Sequence, residues 1–380
     1  MICFAWAGFP QYAARCIRSL VDVAGEDVIV IATKPRVPID GMDALCGCEV
    51  IWIEYSETRP LIEILNWRMP SVLFVTGWKV RVFKSFRDEA KKQGCKVVSM
   101  VDNNMPTGAF PRWGFRGLMQ ATREFAKALR FKLFLSGKYD AYFVPGASGE
   151  RLLSYYGVPK KKIMHGLYSA DASLFSCGVP LSAREKKIIY VGQYIERKNV
   201  LRMIEAFAKA VKNANSKGWI LELYGSGSLR EVLQSKAVKL NAELSIIDSR
   251  IAISDFVQPE QLAGLYHSAR ALCLPSLEEH WGLVVHEAAL SGCMLLLSRY
   301  VGAAEDLVAH DGDEGINGKL FDPYNIKDIE VAFERFLRTT DTELDAAQKE
   351  SLEKAAKISK KKFANSVLQI VGRLKTNNEI

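Results

Sequence analysis

In the stretch LCLPSLEEHWGLVVHEAALSGCMLLLS, Glu279 and Glu287 stand with seven residues between them. The apolar run Leu272 to Pro275 reads as a buried strand, and the spacing predicts a helix from about Gly282. Glu279 then lies in the connecting loop and Glu287 inside the helix. A helix start leaves backbone N–H groups unpaired and carries the positive end of the helix dipole. The amides of Gly282, Leu283 and Val284 therefore suit an anionic group such as phosphate, and Gly282 lets that group approach the backbone closely. Ionised carboxylates only accept hydrogen bonds, so the two glutamates suit a ligand's hydroxyls. Read in isolation, the same pair also fits ordinary surface or capping acids.

The elements that must hold these residues alternate strand and helix along the chain. ICFAW, VIVIAT, VIWIE, SVLFVTG, KVVSMV and DAYFVPG read as strands, with helices over Tyr12 to Val21 and over VRVFKSFRDEAKKQG. Residues 171–186 interrupt the rhythm and read as a linker. It then restarts with KIIYVG, ILELYG, RIAIS, ALCLP and MLLLS, interleaved with further helices. Short continuous apolar strands between helices indicate parallel sheets covered on both faces. The fold class expected is α/β, with two successive doubly wound domains over 1–175 and 185–358. A C-terminal helix over 359–380 is expected to return to the first. In such sheets ligands bind at the carboxyl ends of the strands, and a cleft between two such domains is the default site.

The 380 residues carry a net charge of +8, with 49% hydrophobic residues. That length suits two domains, and the composition excludes a disordered or low-complexity chain. No apolar run approaches the roughly 20 residues of a spanning helix. The start, MICFAWAGFP, shows no basic leader, so no signal peptide is expected. Residues 1–176 hold 24 Lys and Arg against 16 acids, whereas 177–380 hold 27 against 27. The whole excess thus lies in the first half, which suits an anionic membrane, an acidic substrate or simply a basic surface. Eight cysteines without a CxxC pair read as reduced thiols of a cytoplasmic protein.

PSLEEHWGLVVHEA resembles the donor-binding motif of glycosyltransferase family 4, retaining enzymes of the GT-B fold. The likeness continues through YVGQYIERKNVLRMIEAF, LYGSGSL, FVQPEQLAGLYHSA and SRYVGAAEDLV, in the family's order. The resemblance implies two Rossmann-like domains around a cleft, with a nucleotide sugar as donor. Glu287 would bind the ribose, and Glu279 the hydroxyls of the transferred sugar. The loop His280, Trp281, Gly282, Leu283 and Val284 would cover diphosphate and sugar, with His280 contacting the sugar. Lys198 would pair with the diphosphate, helped by Arg197, and Gly192 would let its loop approach that group. Gly225 and Gly227 would border the nucleotide, and the segment Asp255 to Gln258, with Phe256 and Val257, would read the base. His286 is expected to be a packed helix residue.

Two departures from the pattern stand out. Gln193 occupies the place of a usual arginine, which shifts diphosphate charge onto Lys198 and Arg197. Many members also carry a histidine after the strand that reads KVVSMV here, where this chain has Asp102, Asn103 and Asn104. Gly8, Asp102 and Asn103 are the candidates for the acceptor side of the cleft. No cluster with metal-ligand spacing is evident, so neither metal nor other cofactor is expected.

The basic excess concentrates in residues 79–96 and 112–138. The second segment holds seven Lys and Arg and one acid, Glu124. Phe115, Leu118, Met119, Phe125 and Leu129 line much of one helix side there, with Trp113, Phe131 and Phe134 beside it. Such a helix suits either a membrane surface or packing on its own sheet. No nucleic-acid module accompanies the charge. The reading is therefore a retaining hexosyltransferase, cytoplasmic and peripheral on the inner face of a membrane. It would act on a lipid-linked or polysaccharide-precursor acceptor. The alternatives are a catalytically weak sugar-nucleotide-binding partner, or another GT-B enzyme such as an epimerase.

Overall fold

Uninterrupted apolar runs become strands whose two faces are both covered, as in Ile2–Trp6 and Val28–Ala32, where every residue is buried. The structure, a computed structural model, describes residues 1–35, 41–78, 80–104, 115–308 and 314–376. Lys79, Arg112 and Trp113 of the basic segments lie outside the described residues, as do the side chains of Phe115, Arg116 and Leu118. Among the described residues no helix is long and apolar enough to cross a membrane.

The chain forms two units, Met1–Ser169 with Ile358–Ile380, and Ala170–Lys357. The first contains β1 (Ile2–Trp6), β2 (Val28–Ala32), β3 (Glu49–Trp52), β4 (Val72–Thr76), β5 (Lys96–Met100), β6 (Ala141–Val144) and β7 (Ile163–His165). They form one parallel sheet in the order β3-β2-β1-β4-β5-β6-β7. The sequence reading does not contain β7, a three-residue edge strand that follows three lysines and has only its first residue buried. The C-terminal helix Lys360–Lys375 belongs to this unit. Its Phe363 packs against Phe143 and Phe4, and Lys375 pairs with Glu26 at 2.8 Å.

The second unit contains β8 (Lys187–Val191), β9 (Ile220–Tyr224), β10 (Arg250–Ser254), β11 (Ala271–Leu274), β12 (Met294–Ser298), β13 (Glu314–Gly315) and β14 (Gly318–Phe321). Their order is β10-β9-β8-β11-β12-β14-β13, parallel except for the β13–β14 pair. Its boundary differs from the expected one at 175 and 185. Residues 170–186 are held inside this unit by hydrogen bonds. Ala170 N donates to His286 Nδ1 at 3.0 Å, and Ser291 Oγ donates to Phe175 O at 2.7 Å. The buried Arg184 guanidinium donates to the carbonyls of Val179, Tyr266, Ala269 and Ser291.

Candidate functional site

Strand order reverses beside β8 in the second unit, because β9 and β10 lie on one side of it and β11 and β12 on the other. Loops leaving neighbouring strands at such a switch point diverge and open a crevice at the carboxyl ends. β8 and β11 pair over only two positions, Ala271 with Ile188 and Leu272 with Ile189. Beyond them run the two loops that contain the key residues, Gly192 to Asn199 after β8 and Pro275 to Gly282 after β11.

Hydrogen bonds join these loops. Leu277 N donates to Arg197 O at 2.8 Å, Arg197 Nη1 to Glu278 O at 2.5 Å, and Asn199 Nδ2 to Pro275 O at 3.3 Å. At the junction Lys198 Nζ and Glu279 Oε2 form an ion pair with both side chains largely buried. Arg197 Nη1 lies 3.9 Å from the same oxygen, and Ser276 Oγ donates to it at 3.2 Å. The Glu279 backbone is held from the far side by the loop after β12, since its N–H donates to Tyr300 O and its carbonyl accepts from Gly302 N. Two cations and one carboxylate thus converge at the carboxyl ends of β8 and β11, from positions 81 residues apart.

The helix expected near Gly282 spans Leu283–Leu290, with Gly282 as its N-cap at φ +88°. That left-handed backbone suits glycine. A Cβ there would also meet Glu279 Cγ at 3.2 Å. Leu283 and Val284 form the open first turn, and Val285 N already bonds to Gly282 O at 2.9 Å. Glu287 lies in the second turn and is half-buried. Burial pushes its carboxyl up to about 7, although the hydrogen bond from Tyr266 acts the other way. The Tyr266 hydroxyl lies 3.2 Å from Glu287 Oε2, and burial keeps it protonated far above its ordinary range. Glu287 is therefore a carboxyl that exchanges its proton near neutrality.

The loops after β8 and β9 touch backbone to backbone. A Cβ at Gly225 would fall inside the Gly192 carbonyl, and one at Gly227 would lie 2.5 Å from Tyr194 O. These glycines therefore serve contact between loops, a purpose separate from the nucleotide border expected of them. Gln193 is exposed, and its carbonyl accepts from the Tyr190 hydroxyl at 2.8 Å. The loop after β10 presents Phe256, 52% exposed, beside the half-buried Val257, while Asp255 is ion-paired to Arg230. His280 is exposed near Glu278. Trp281 turns its indole into the core, so its contribution to the loop surface is backbone. His286 is fully buried, accepting at Nδ1 from Ala170 N and lying 3.1 Å from Ala355 O through Nε2. It is a packed helix residue held as one tautomer.

Gly8, Asp102 and Asn103 belong to the first unit. Gly8 follows β1, and its N–H donates to Thr33 Oγ1 at 2.8 Å. Asp102 and Asn103 follow β5 and, with Gly77, Trp78, Met100 and Val101, line a hollow of about 220 Å³. Asp102 also lies beside the Tyr12 and Tyr168 hydroxyls, which burial keeps protonated. Among the described residues no group of three or more His, Cys, Asp or Glu has metal-holding geometry. Sequence reasoning missed Ser276 and Tyr266. Each acts on a glutamate through a single hydroxyl, and only the quoted motifs PSLEEH and LAGLYHSA pass near them.

The family model described as Glycosyl transferases group 1 matches residues 179–357. An uncharacterized glycosyltransferase of Methanocaldococcus jannaschii is 27% identical over 200 residues, covering 50% of this chain and 48% of that protein. The chain thus spans about half the length of this relative. The sulfoquinovosyl transferase of Arabidopsis thaliana is 23% identical over 370 residues, covering 92% of this chain and 68% of that protein. The crystal structure of HepE from Anabaena in complex with UDP and glucose matches with a TM-score of 0.69 at 12% identity. That match covers 98% of this chain and 99% of HepE, and it shows a shared GT-B fold of two Rossmann-like units.

Proposed function

We propose that this chain, whose residues 179–357 match the model of the group 1 glycosyltransferases, carries out a retaining transfer of a hexose from a nucleotide sugar to a glycan or lipid-linked acceptor. The observation that carries this reading is the convergence of Lys198, Arg197 and Glu279 at the switch point, beside the open helix start at Leu283. In the reaction the bond from the sugar's anomeric carbon to the diphosphate breaks. A bond to the acceptor oxygen forms on the same face, and the acceptor proton leaves with the departing phosphate. Negative charge grows on the diphosphate, so preorganised cations and backbone N–H groups lower the barrier.

Lys198 and Arg197 meet that charge together with the amides of Leu283 and Val284. This removes the need for a metal. Donor binding exchanges the Lys198–Glu279 pair for new partners, freeing Glu279 to accept from the sugar hydroxyls. Glu287 accepts from the ribose, and Phe256 offers an exposed ring to the base at the edge of the sheet. Arg197 supplies the second cation that Gln193 cannot, which favours an enzyme over a weak binding partner. The sugar and base are found by a thermal-shift screen of nucleotide sugars, since a ligand of the native state raises its stability. Donor hydrolysis or transfer with the stabilising donor, and product of unchanged anomeric configuration by NMR, support the reading. Binding without turnover, or inverted product, refutes it.

A further inference from the structure

The helix Phe115–Phe134 of the first unit buries only a narrow stripe. Glu124, Ala128 and Phe131 face inward at a spacing of four and three residues, and Phe131 stacks among Trp78, Tyr142 and Tyr156. The opposite face is apolar and open. Phe125, Leu129 and Leu133 are 64%, 46% and 64% exposed, and Met119 and Phe134 are also exposed. At about 100° per residue, Phe125, Leu129 and Leu133 fall within about 80° of one another, and Met119 continues the arc. Arg123, Lys127 and Arg130 line one flank of this stripe and Lys132 the other, all exposed. The single acid between residues 112 and 138, Glu124, is turned into the core and paired with Lys127 at 2.6 Å. Outward-facing charge on this helix is therefore uniformly positive among the described side chains.

We infer that this face docks in the plane of an anionic bilayer, with Phe125, Leu129 and Leu133 entering the acyl boundary and the flanking cations meeting lipid headgroups. A bilayer surface accepts an apolar stripe about 20 Å long together with cations on both of its flanks. A protein partner of ordinary composition would have to neutralise the cations on both flanks while keeping an apolar centre. The charge asymmetry of the chain agrees with this, since the whole excess of +8 lies in residues 1–176, this helix included. The inference goes beyond the transferase reading and is independent of it, because binding to lipid is read without turnover.

The test is co-flotation of the full chain with vesicles of phosphatidylcholine alone or with about a third phosphatidylglycerol, between about 0.1 M and about 0.5 M salt. Binding is expected on the anionic vesicles only, weakening as salt rises. Each cation near such a surface multiplies binding by about fivefold. The triple change Arg123→Glu, Arg130→Glu and Lys132→Glu should therefore lower the partition coefficient at least a hundredfold. Phe125→Ser with Leu129→Ser and Leu133→Ser should also abolish binding, although the cations remain. All six positions are exposed, and circular dichroism of each variant checks that the fold is retained. The inference is overturned if anionic vesicles do not bind at low salt, or if either triple variant binds as well as the parent. It is equally overturned if the serine variant turns a dimer into a monomer while no form binds vesicles, because a second copy then covers the face.

Discussion

Glu287→Gln is the perturbation that reads the candidate site most directly. Burial raises the Glu287 carboxyl from an ordinary 4.5 to about 7. A carboxyl raised in the folded state ionises first in the unfolded chain, so the unfolded state holds fewer protons between these values and stability falls as pH rises. The rise from 4.5 to about 7 amounts to about 3 kcal/mol, of which about 2.5 kcal/mol falls between pH 5 and pH 8. Glutamine keeps the shape and cannot ionise. The variant should therefore gain about 2.5 kcal/mol on the parent between pH 5 and pH 8, read from urea unfolding of the second unit at each pH. A ligand whose hydroxyls donate to the ionised carboxylate should draw a proton off Glu287 as it binds. UDP calorimetry near pH 6.5 in buffers of different ionisation enthalpy should show greater proton release by the parent than by the variant. Stability curves that stay parallel across this range would falsify the assignment of Glu287 as a carboxyl titrating near neutrality. Equal proton release would separately remove it from the ligand contacts.

Lys198→Ala should reduce turnover about 10² to 10³-fold, more in kcat than in KM, because the cation acts on charge that develops in the transition state. Steady-state kinetics with the donor found by thermal shift measures this, and near-parental turnover would contradict the role given to Lys198. Gly225→Ala forces a methyl into the Gly192 carbonyl and should cost about 3 kcal/mol as overpacking. Gly264→Ala, in open space within the helix Pro259–Ser268, should stabilise by about 0.5–1 kcal/mol; thermal unfolding compares the two. If the cations alone meet the diphosphate charge, excess EDTA should leave transfer unchanged. A loss restored by Mg²⁺ or Mn²⁺ would overturn the metal-free reading.

Much of the fold is legible in the sequence because buried parallel strands have to be short apolar runs between turns. ICFAW, VIVIAT, KIIYVG and MLLLS declare themselves in this way. β7 and the β13–β14 pair do not, since short strands at or next to a sheet edge need no continuous apolar run. Residues 171–186 read as a linker because they interrupt the strand–helix rhythm, yet the segment from Ala170 on is held in the second unit by bonds to His286 and Ser291, more than a hundred positions later. No local pattern encodes a partner at that distance. The same limit hides Tyr266, whose hydroxyl meets Glu287 on another helix, whereas Ser276 stands three residues before Glu279 in one loop and only the loop's folding turns its hydroxyl onto that carboxylate.

By itself, the sequence determined the alternation of strand and helix, the charge asymmetry of the two halves, and which residue types stand after β8 and β11. Strand propensity, net charge and helix starts are local properties, or sums of local properties. Only the tertiary structure decided that Lys198 meets Glu279, that Gly225 is required by a neighbouring carbonyl, and that Glu287 sits deep enough to hold its proton near neutrality. It also decided which side of the Phe115–Phe134 helix faces outward. The spacing of Phe125 and Leu129 shows an apolar side but not what covers it, whereas Phe131, locked among three aromatic rings, fixes the rotation of the helix and leaves that side open.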